Sequence, residues 1–551
     1  MRGLSDRPVS PERDQELLRR TADAAAAGQL DTAMALAEGA LAGGLEHPLF
    51  FKLRSLARER QGRLAEAVAD LRSALAATPD DFAARNALGL LLARTGHVGQ
   101  GLAKLDRAVA LNPGFAPAHQ NRGWALESLG DLTGARRAYE RALEQAPGDS
   151  RALAALAWLA ARRADWPEAR ARAEAALASA PEPAAQLALA MADLRTGSPE
   201  AAEAGARCLL DRPGLPPNER STGLWVLGET LDAQDRLDEA LVAYGGANDV
   251  IGAAYGGSGR GRESALAFAH RLGARFDGAQ PGSWPQGPAA TTATGGESAR
   301  GLVFLLGFPR SGTTLLGQVL GAHPDVVTLD ERESLAAPAG PYLDQPDGLD
   351  RLQKAGALEL DPYRRAYWDE ARQAVPDLDG KLLVDKLPMN TLALPLIARL
   401  LPEAKVVFMV RDPRDVVLSC FRQAFTPNRT NLEFLSLEGA ARFYDAVMRL
   451  AANLEGVLDL PTLRIRYEDL VEHFEAETGR LCDFLGLEPA SGMGDFAAAA
   501  RAGRIATPSA AQLTRGLYEG GAGQWRRYAA ALQPVLPILQ PWIDCFGYDQ
   551  D

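Results

Sequence analysis

The chain repeats itself every 34 residues through its first part. Pro79, Pro113, Pro147 and Pro181 stand at that spacing, inside the similar phrases ATPDD, LNPGF, QAPGD and SAPEP. Gly28, Gly62, Gly96 and Gly130 form a second ladder, and Ala40, Ala74, Ala108, Ala142 and Ala176 a third. Two more hold small residues: Ala33, Ala67, Gly101, Ala135 and Ala169, then Ser55, Gly89, Gly123 and Ala157. Several ladders in one register carry far more weight than any single periodic alanine. Such a unit reads as two amphipathic helices, the first closed by a glycine in the left-handed C-cap conformation and the second stopping before the proline. The small residues fall where helices approach closely. One unit cannot bury its apolar face alone, so neighbours must stack into an α-solenoid.

The ladders cover residues 12–197; from Ser198 to Tyr255 helical spacing continues in LDEALVAYGGA, but the register slips, as terminal repeats often do. No cluster of His, Cys or carboxylates recurs in the array, which argues against a catalytic role for it. The composition then changes: DGAQPGSWPQGPAATTATGGES is rich in Gly, Pro, Ser and Thr. The expected organisation is a solenoid over 12–270, a linker over 271–300 and a second domain over 301–551.

The full 551 residues leave ample room for that second domain. The 59 basic and 71 acidic residues give a net charge of −12, the wrong sign for a chain that neutralises many nucleic-acid phosphates. Cys208, Cys420, Cys482 and Cys545 lie far apart, without a CxxC pair or a metal-ligand spacing. No apolar run approaches the ~20 residues of a membrane span, and Met1–Arg13 lack the apolar core of a signal peptide. These features lead to the expectation of a cytoplasmic protein without a metal or a membrane span.

After residue 300 the pattern becomes strand, loop and helix in alternation, an α/β domain with a parallel sheet. GLVFLLG at 301–307 reads as a buried strand; PRSGTT follows, then a helix ending near His323. A glycine-containing turn between strand and helix aims backbone N–H groups, and the helix dipole, at an anion. Gly307 and Gly312 keep the offset of a nucleotide-triphosphatase loop, but Thr313 stands where that motif requires lysine. An ATP or GTP hydrolase is therefore disfavoured, and the cation is Arg310, inside the loop. Further strands are KVVFMV (405–410) before RDPRD, with Asp412 as an N-cap and Pro413 opening the helix; KLLVDK (381–386); TLRIRY (462–467); and Val326–Leu329. Strands of a doubly wound sheet finish on one edge, where ligands bind. That rule gathers Arg310, Asp330, Glu331, Lys386, Arg411 and Tyr467 on one rim, an arrangement suited to group transfer involving a polyanionic nucleotide.

PRSGTT (309–314) with VRDPRDVVLS (410–419) resembles the two cofactor motifs of sulfotransferases that use 3′-phosphoadenosine 5′-phosphosulfate (PAPS), and RYEDL (466–470) fits the same family. The arginine in the first motif, AHPDV (322–326) and DKLP (385–388) resemble the tyrosylprotein sulfotransferase branch. The whole chain is similar to bacterial tetratricopeptide-repeat sulfotransferases. This resemblance implies a P-loop-like, three-layer α/β domain in which Arg310, Ser311, Gly312, Thr313 and Thr314 hold the 5′-phosphosulfate. It implies Arg411 and Ser419 at the 3′-phosphate, with Tyr467 among the cofactor residues. Lys386 falls at the branch's catalytic lysine and Asp330 at its general base, with Glu331 one position later; which carboxylate is the base stays open. TPSAAQLTRGLYEGGAGQW (507–525) is similar to a further cofactor segment, with Ser509 at the matched serine. Gln524 replaces the usual basic residue there, so charge must come from Arg526 or Arg527. The implied reaction moves the sulfuryl group to an acceptor hydroxyl, leaving 3′,5′-ADP, without a metal. The expected acceptor is a tyrosine of a peptide or protein recruited by the repeats. The open alternatives are a saccharide, lipid or small phenol acceptor with repeats used for assembly, and a nucleotide-sensing scaffold without catalysis. A homodimer is also left open.

Overall fold

The computed structural model describes residues 11–257, 263–288, 299–495 and 521–549. They fall into two compact units that divide at residues 196 and 197.

In the first unit eleven α-helices, α1 to α11, run from Pro11 to Arg195. The glycine ladder does what the sequence asks of it: Gly28, Gly62, Gly96 and Gly130 have φ of +74°, +74°, +87° and +81°. Behind each, an amide reaches back five residues to close the helix, Gln29 to Ala24, Arg63 to Arg58, His97 to Leu92 and Asp131 to Leu126. The next rung is Ala164, which adopts φ +60° without glycine's freedom. The small-residue ladders mark close helix approach. A Cβ on Gly89 would stand 2.9 Å from the Gly101 carbonyl, and one on Gly123 would stand 2.6 Å from the Tyr139 ring. Ala33, Ala67, Ala135 and Ala169 are fully buried in these seams.

The second unit opens with α12 (Pro199–Leu210), α13 (Pro217–Ala233) and α14 (Leu237–Tyr255). The α13–α14 hairpin is a repeat in everything but phase. Gly228 lies against the Tyr244 ring as Gly123 does against Tyr139, and the Arg236 amide closes on the Leu231 carbonyl as Asp131 does on Leu126. Each counterpart lies 105 residues earlier, three more than three periods. The slipped register is therefore a three-residue phase shift, not a loss of the motif.

Next come α15 (Ala265–Ala274) and the sheet: β1 (Gly301–Gly307), β2 (Val326–Asp330), β3 (Leu382–Lys386), β4 (Lys405–Val410) and β5 (Thr462–Arg466). The order is β2-β3-β1-β4-β5 with every pair parallel. The connecting helices are α16 (Thr313–Gly321), α17 (Ala336–Tyr342), α18 (Gly348–Lys354), α19 (Ala357–Ala374), α20 (Leu394–Leu400), α21 (Pro413–Phe421), α22 (Leu437–Leu454), α23 (Tyr467–Glu472) and α24 (Phe474–Leu485), followed by α25 (Leu536–Cys545).

Side-chain alternation along β1 makes three layers. Leu302, Phe304 and Leu306 enter a core with residues of α15, α19, α20, α22 and α25, whereas Val303 and Leu305 pack with α16 and α24. Phe276 and Trp284, which follow α15, are buried in the first of these cores, and the Trp284 indole N–H donates to the Pro395 carbonyl at 3.2 Å. The parallel, three-layer α/β domain behind a helical solenoid is the architecture expected from the sequence. Three strand boundaries differ by one residue: β2 runs on to Asp330, β3 begins at Leu382, and β5 ends at Arg466, so that Tyr467 is the first residue of α23 rather than the last of the strand.

Candidate anion and transfer site at the carboxyl edge of the sheet

All five strands end on one edge, and the turn after β1 is the tightest element there. Gly307 has φ +151°, and a Cβ on it would meet the Met409 carbonyl at 2.6 Å and Ser311 Oγ at 2.7 Å. Gly312, at φ +102°, caps α16, and a Cβ there would stand 2.6 Å from the Tyr467 ring. Arg310 between them holds φ +70°, a conformation costing a non-glycine residue about 1–3 kcal/mol. Ser311, Thr313 and Thr314 are buried at the start of α16, and Ser311 Oγ has no hydrogen-bond partner among the described residues. A buried, unpaired hydroxyl at a helix N-terminus suits an incoming oxyanion. On that observation the loop fits a phosphate- or sulfate-bearing group.

The second motif closes on the first. The Arg310 Nε donates to Ser419 Oγ at 2.9 Å, which ties the loop to α21. Burial, and to a lesser degree the neighbouring Arg411, lower the pKa of the Arg310 guanidinium from its ordinary value. Arg411 donates to the Arg310 carbonyl at 3.1 Å and to the Gly521 carbonyl, and its guanidinium lies 4.7 Å from the Tyr467 ring centroid. Its Nε is buried without a partner among the described residues. Tyr467 thus packs between Gly312 and Arg411. As expected, Asp412 caps α21, accepting the Arg414 amide at 2.9 Å, with Pro413 at its first position.

Lys386 ends β3, fully buried, and its ammonium lies 3.0 Å from Glu331 Oε1 and 3.5 Å from Asp330 Oδ1. β2 pairs Asp330 with Lys386 in register. Its stem runs beside Gly317 of α16, where a Cβ would approach Lys386 Cγ to 3.6 Å. The two carboxylates are partly open to solvent, and Glu331, like Arg310, takes a positive φ, +48°. A desolvated cation flanked by two accessible carboxylates can stabilise developing negative charge and pass a proton.

Of the residues expected at the cofactor, Ser509 lies outside the described residues. Arg526 lines a cavity of about 160 Å³ with Arg414, Arg466, Glu468 and Tyr548, whereas Arg527 is engaged elsewhere, by Asp232 and Asp235. Three further groups were not singled out from the sequence. Asp415 accepts the amides of Gly523 at 2.7 Å and Trp525 at 2.8 Å, fixing the C-terminal segment to α21, and burial raises its pKa. Arg414 stacks on Trp525 at 3.6 Å. Asp385 accepts hydrogen bonds from Ser334 and Tyr367, both at 3.0 Å, and burial pushes it up to about 7. RDPRD and DK contained all but Trp525, but adjacent charges in one motif do not say which faces the ligand and which faces the core.

Residues 303–491 match the model of the sulfotransferase family, and residues 18–82 and 86–150 match the tetratricopeptide repeat. Among curated relatives, nodulation protein NoeE of Sinorhizobium fredii is 31% identical over 217 residues, covering 34% of this chain and 51% of its own length. Protein-tyrosine sulfotransferase A of Caenorhabditis elegans is 27% identical over 190 residues, covering 34% of this chain and 50% of its own. The chain spans about half the length of these relatives. A solved structure, the sulfotransferase domain from the Synechococcus PCC 7002 olefin synthase, aligns at 20% identity with a TM-score of 0.34, over 49% of this chain and 99% of that one. No described helix is long and apolar enough to cross a membrane, and no described cluster of His, Cys, Asp and Glu could hold a metal ion. Residues 303–491 are a sulfotransferase-family domain, on a chain whose first part carries tetratricopeptide repeats.

Proposed function

We propose that this chain is an enzyme that transfers the sulfuryl group of PAPS to an acceptor hydroxyl, with a tyrosine of a polypeptide as the acceptor. The observation that carries the reading is the buried Lys386 ammonium between Asp330 and Glu331, on the same sheet edge as a loop whose Ser311 hydroxyl lacks a partner. The likeness to protein-tyrosine sulfotransferases, over 34% of this chain, supports the choice of acceptor.

PAPS would supply an activated sulfuryl group, whose S–O bond to phosphorus breaks as a new S–O bond to the acceptor forms, releasing 3′,5′-ADP. Arg310, Ser311, Gly312, Thr313 and Thr314 would hold the 5′-phosphosulfate. Arg411 and Ser419 would hold the 3′-phosphate, the group that separates this donor from ATP, with Tyr467, Arg526 and Ser509 completing the binding set. Lys386 would stabilise charge on the bridging oxygen, and Arg310 charge on the equatorial ones, in a loose in-line transition state. Glu331 or Asp330 would take the acceptor proton. A phenol near pKa ~10 and a carboxylate near ~4 cannot exchange that proton beforehand, so it moves as the bond forms. The repeats would recruit the polypeptide.

Incubation of the full chain with ³⁵S-labelled PAPS and tyrosine-containing polypeptides tests the reading. Label appearing in base-stable, acid-labile sulfotyrosine supports it. Label confined to glycan or lipid, or no transfer at all, overturns it.

A further inference from the structure

The α13–α14 hairpin belongs by pattern to the repeats, yet several of its polar side chains, Trp225, Asp232 and Asn248 among them, are spent on the two elements that flank the proposed nucleotide site. One is α21, the helix of Ser419. Its last carbonyls would be orphaned, but Trp225 Nε1 donates to the Arg422 carbonyl at 2.9 Å and Asn248 Nδ2 to the Phe421 carbonyl at 3.0 Å. The other is the C-terminal segment that begins at Gly521. Its near end is held by Arg411 and Asp415, as described above.

Asp232 joins the two. Its carboxylate accepts from Arg422 Nη2 at 2.7 Å, from Arg527 Nη1 at 2.9 Å and from the Tyr528 hydroxyl at 2.5 Å, and its carbonyl accepts a further Arg527 bond at 2.9 Å. Arg422 lies between the Tyr244 and Tyr528 rings, 5.3 Å and 5.1 Å from their centroids. A carboxylate that satisfies two arginines and a phenol at once fixes their separation more tightly than any one pair would. Arg422 is three residues beyond Ser419, on the same face of the chain's helical path, and Tyr528 is three beyond Trp525. The spacing between α21 and the Gly521–Tyr528 segment, and so the width of the site between them, is set from α13.

We infer that the α13–α14 hairpin is a working part of the nucleotide site, with Asp232 as its positioning residue. The identity of the nucleotide rests on the function proposed above; the clamp itself does not. Asp232→Asn keeps the shape and removes the charge that holds Arg422 and Arg527.

The experiment is calorimetry of 3′,5′-ADP with the full chain, paired with hydrogen exchange of residues 413–422 and 521–528. For Asp232→Asn the expected results are an affinity lowered about tenfold, a matching rise in KM for PAPS, a kcat within about twofold at saturation, and faster exchange in both segments. Tyr528→Phe, which deletes one donor and leaves the chain foldable, should move the same readouts in the same direction by less. Arg170→Ala breaks the 2.6 Å ion pair with Asp193 inside the first unit and should move none of them. Unchanged affinity and exchange in both clamp variants overturn the inference. If the wild-type chain does not bind 3′,5′-ADP, the proposed nucleotide fails, and the exchange measurement alone decides the clamp.

Discussion

Lys386 and Glu331 hold each other twice. The Lys386 ammonium lies 3.0 Å from the Glu331 carboxylate, and the Glu331 amide donates to the Lys386 carbonyl at 2.8 Å. The backbone bond fixes where the side-chain pair meets, so under the proposed function the carboxylate would need little rearrangement to shift between the ammonium and an acceptor hydroxyl. Pre-set polar groups of this kind avoid reorganisation during the reaction.

Lys386→Ala is expected to lower sulfuryl transfer by about 10²–10³-fold, the usual cost of losing one charge-stabilising group. Binding of 3′,5′-ADP should change by less than about threefold, because under the proposed function the phosphate contacts would come from the β1 loop and α21. Lys386→Arg should not restore turnover, since a planar fork replaces a compact ammonium in a buried slot beside Gly317. Single-turnover rates with measured nucleotide affinities check both variants.

Glu331→Gln and Asp330→Asn separate the two carboxylates. With Glu331 in the closer ion pair, Glu331→Gln should cut turnover by about 10²–10⁴-fold in single-turnover measurements. Asp330→Asn should cost less than about tenfold. The opposite pattern would make Asp330 the base.

Asp385 makes stability fall as pH rises. Burial holds its folded pKa at about 7, above the ordinary carboxylate range near ~4, so between roughly pH 4 and 7 the folded chain binds more protons than the unfolded one. The stability it contributes is full below the unfolded value and is lost as pH climbs through the folded one. Asp385→Asn should flatten the melting temperature between pH 4.5 and 7.5 relative to wild type. Parallel profiles would show that another group sets the slope.

Removing residues 1–196 should leave 3′,5′-ADP binding within a few-fold, because the second compact unit begins at Gly197. Removing residues 1–270 also takes Trp225, Asp232 and Asn248 from α21 and should abolish it. Affinity and thermal melts of the two truncations provide the check.

Much of this was legible in the residues. The glycine ladder fixed the helix caps because only a few residue types take φ near +80°, and strand ends could be read from charges closing apolar runs. That these residues share the carboxyl edge was legible because one topological rule brings distant strand ends together. Three things were not. The three-residue shift that hides the Gly228–Tyr244 pair breaks no local pattern, so a search at a fixed 34-residue period passes over it. Asp232 looks like an ordinary helix-end carboxylate until coordinates bring Arg422 and Arg527, 190 and 295 residues away, to its two carboxylate oxygens. Asp385 beside Lys386 could not be divided by sequence into the residue facing the core and the residue facing the site.

Among the described residues only four non-glycines sit at positive φ, and two of them, Arg310 and Glu331, lie at the carboxyl edge of the sheet. Glycine at either position would relax the backbone, so this edge lives at a local deficit, with thermal resistance given up where a cation and a carboxylate point as an unstrained chain would not send them. A screen for hardier variants of this protein would therefore drift first toward silent ones.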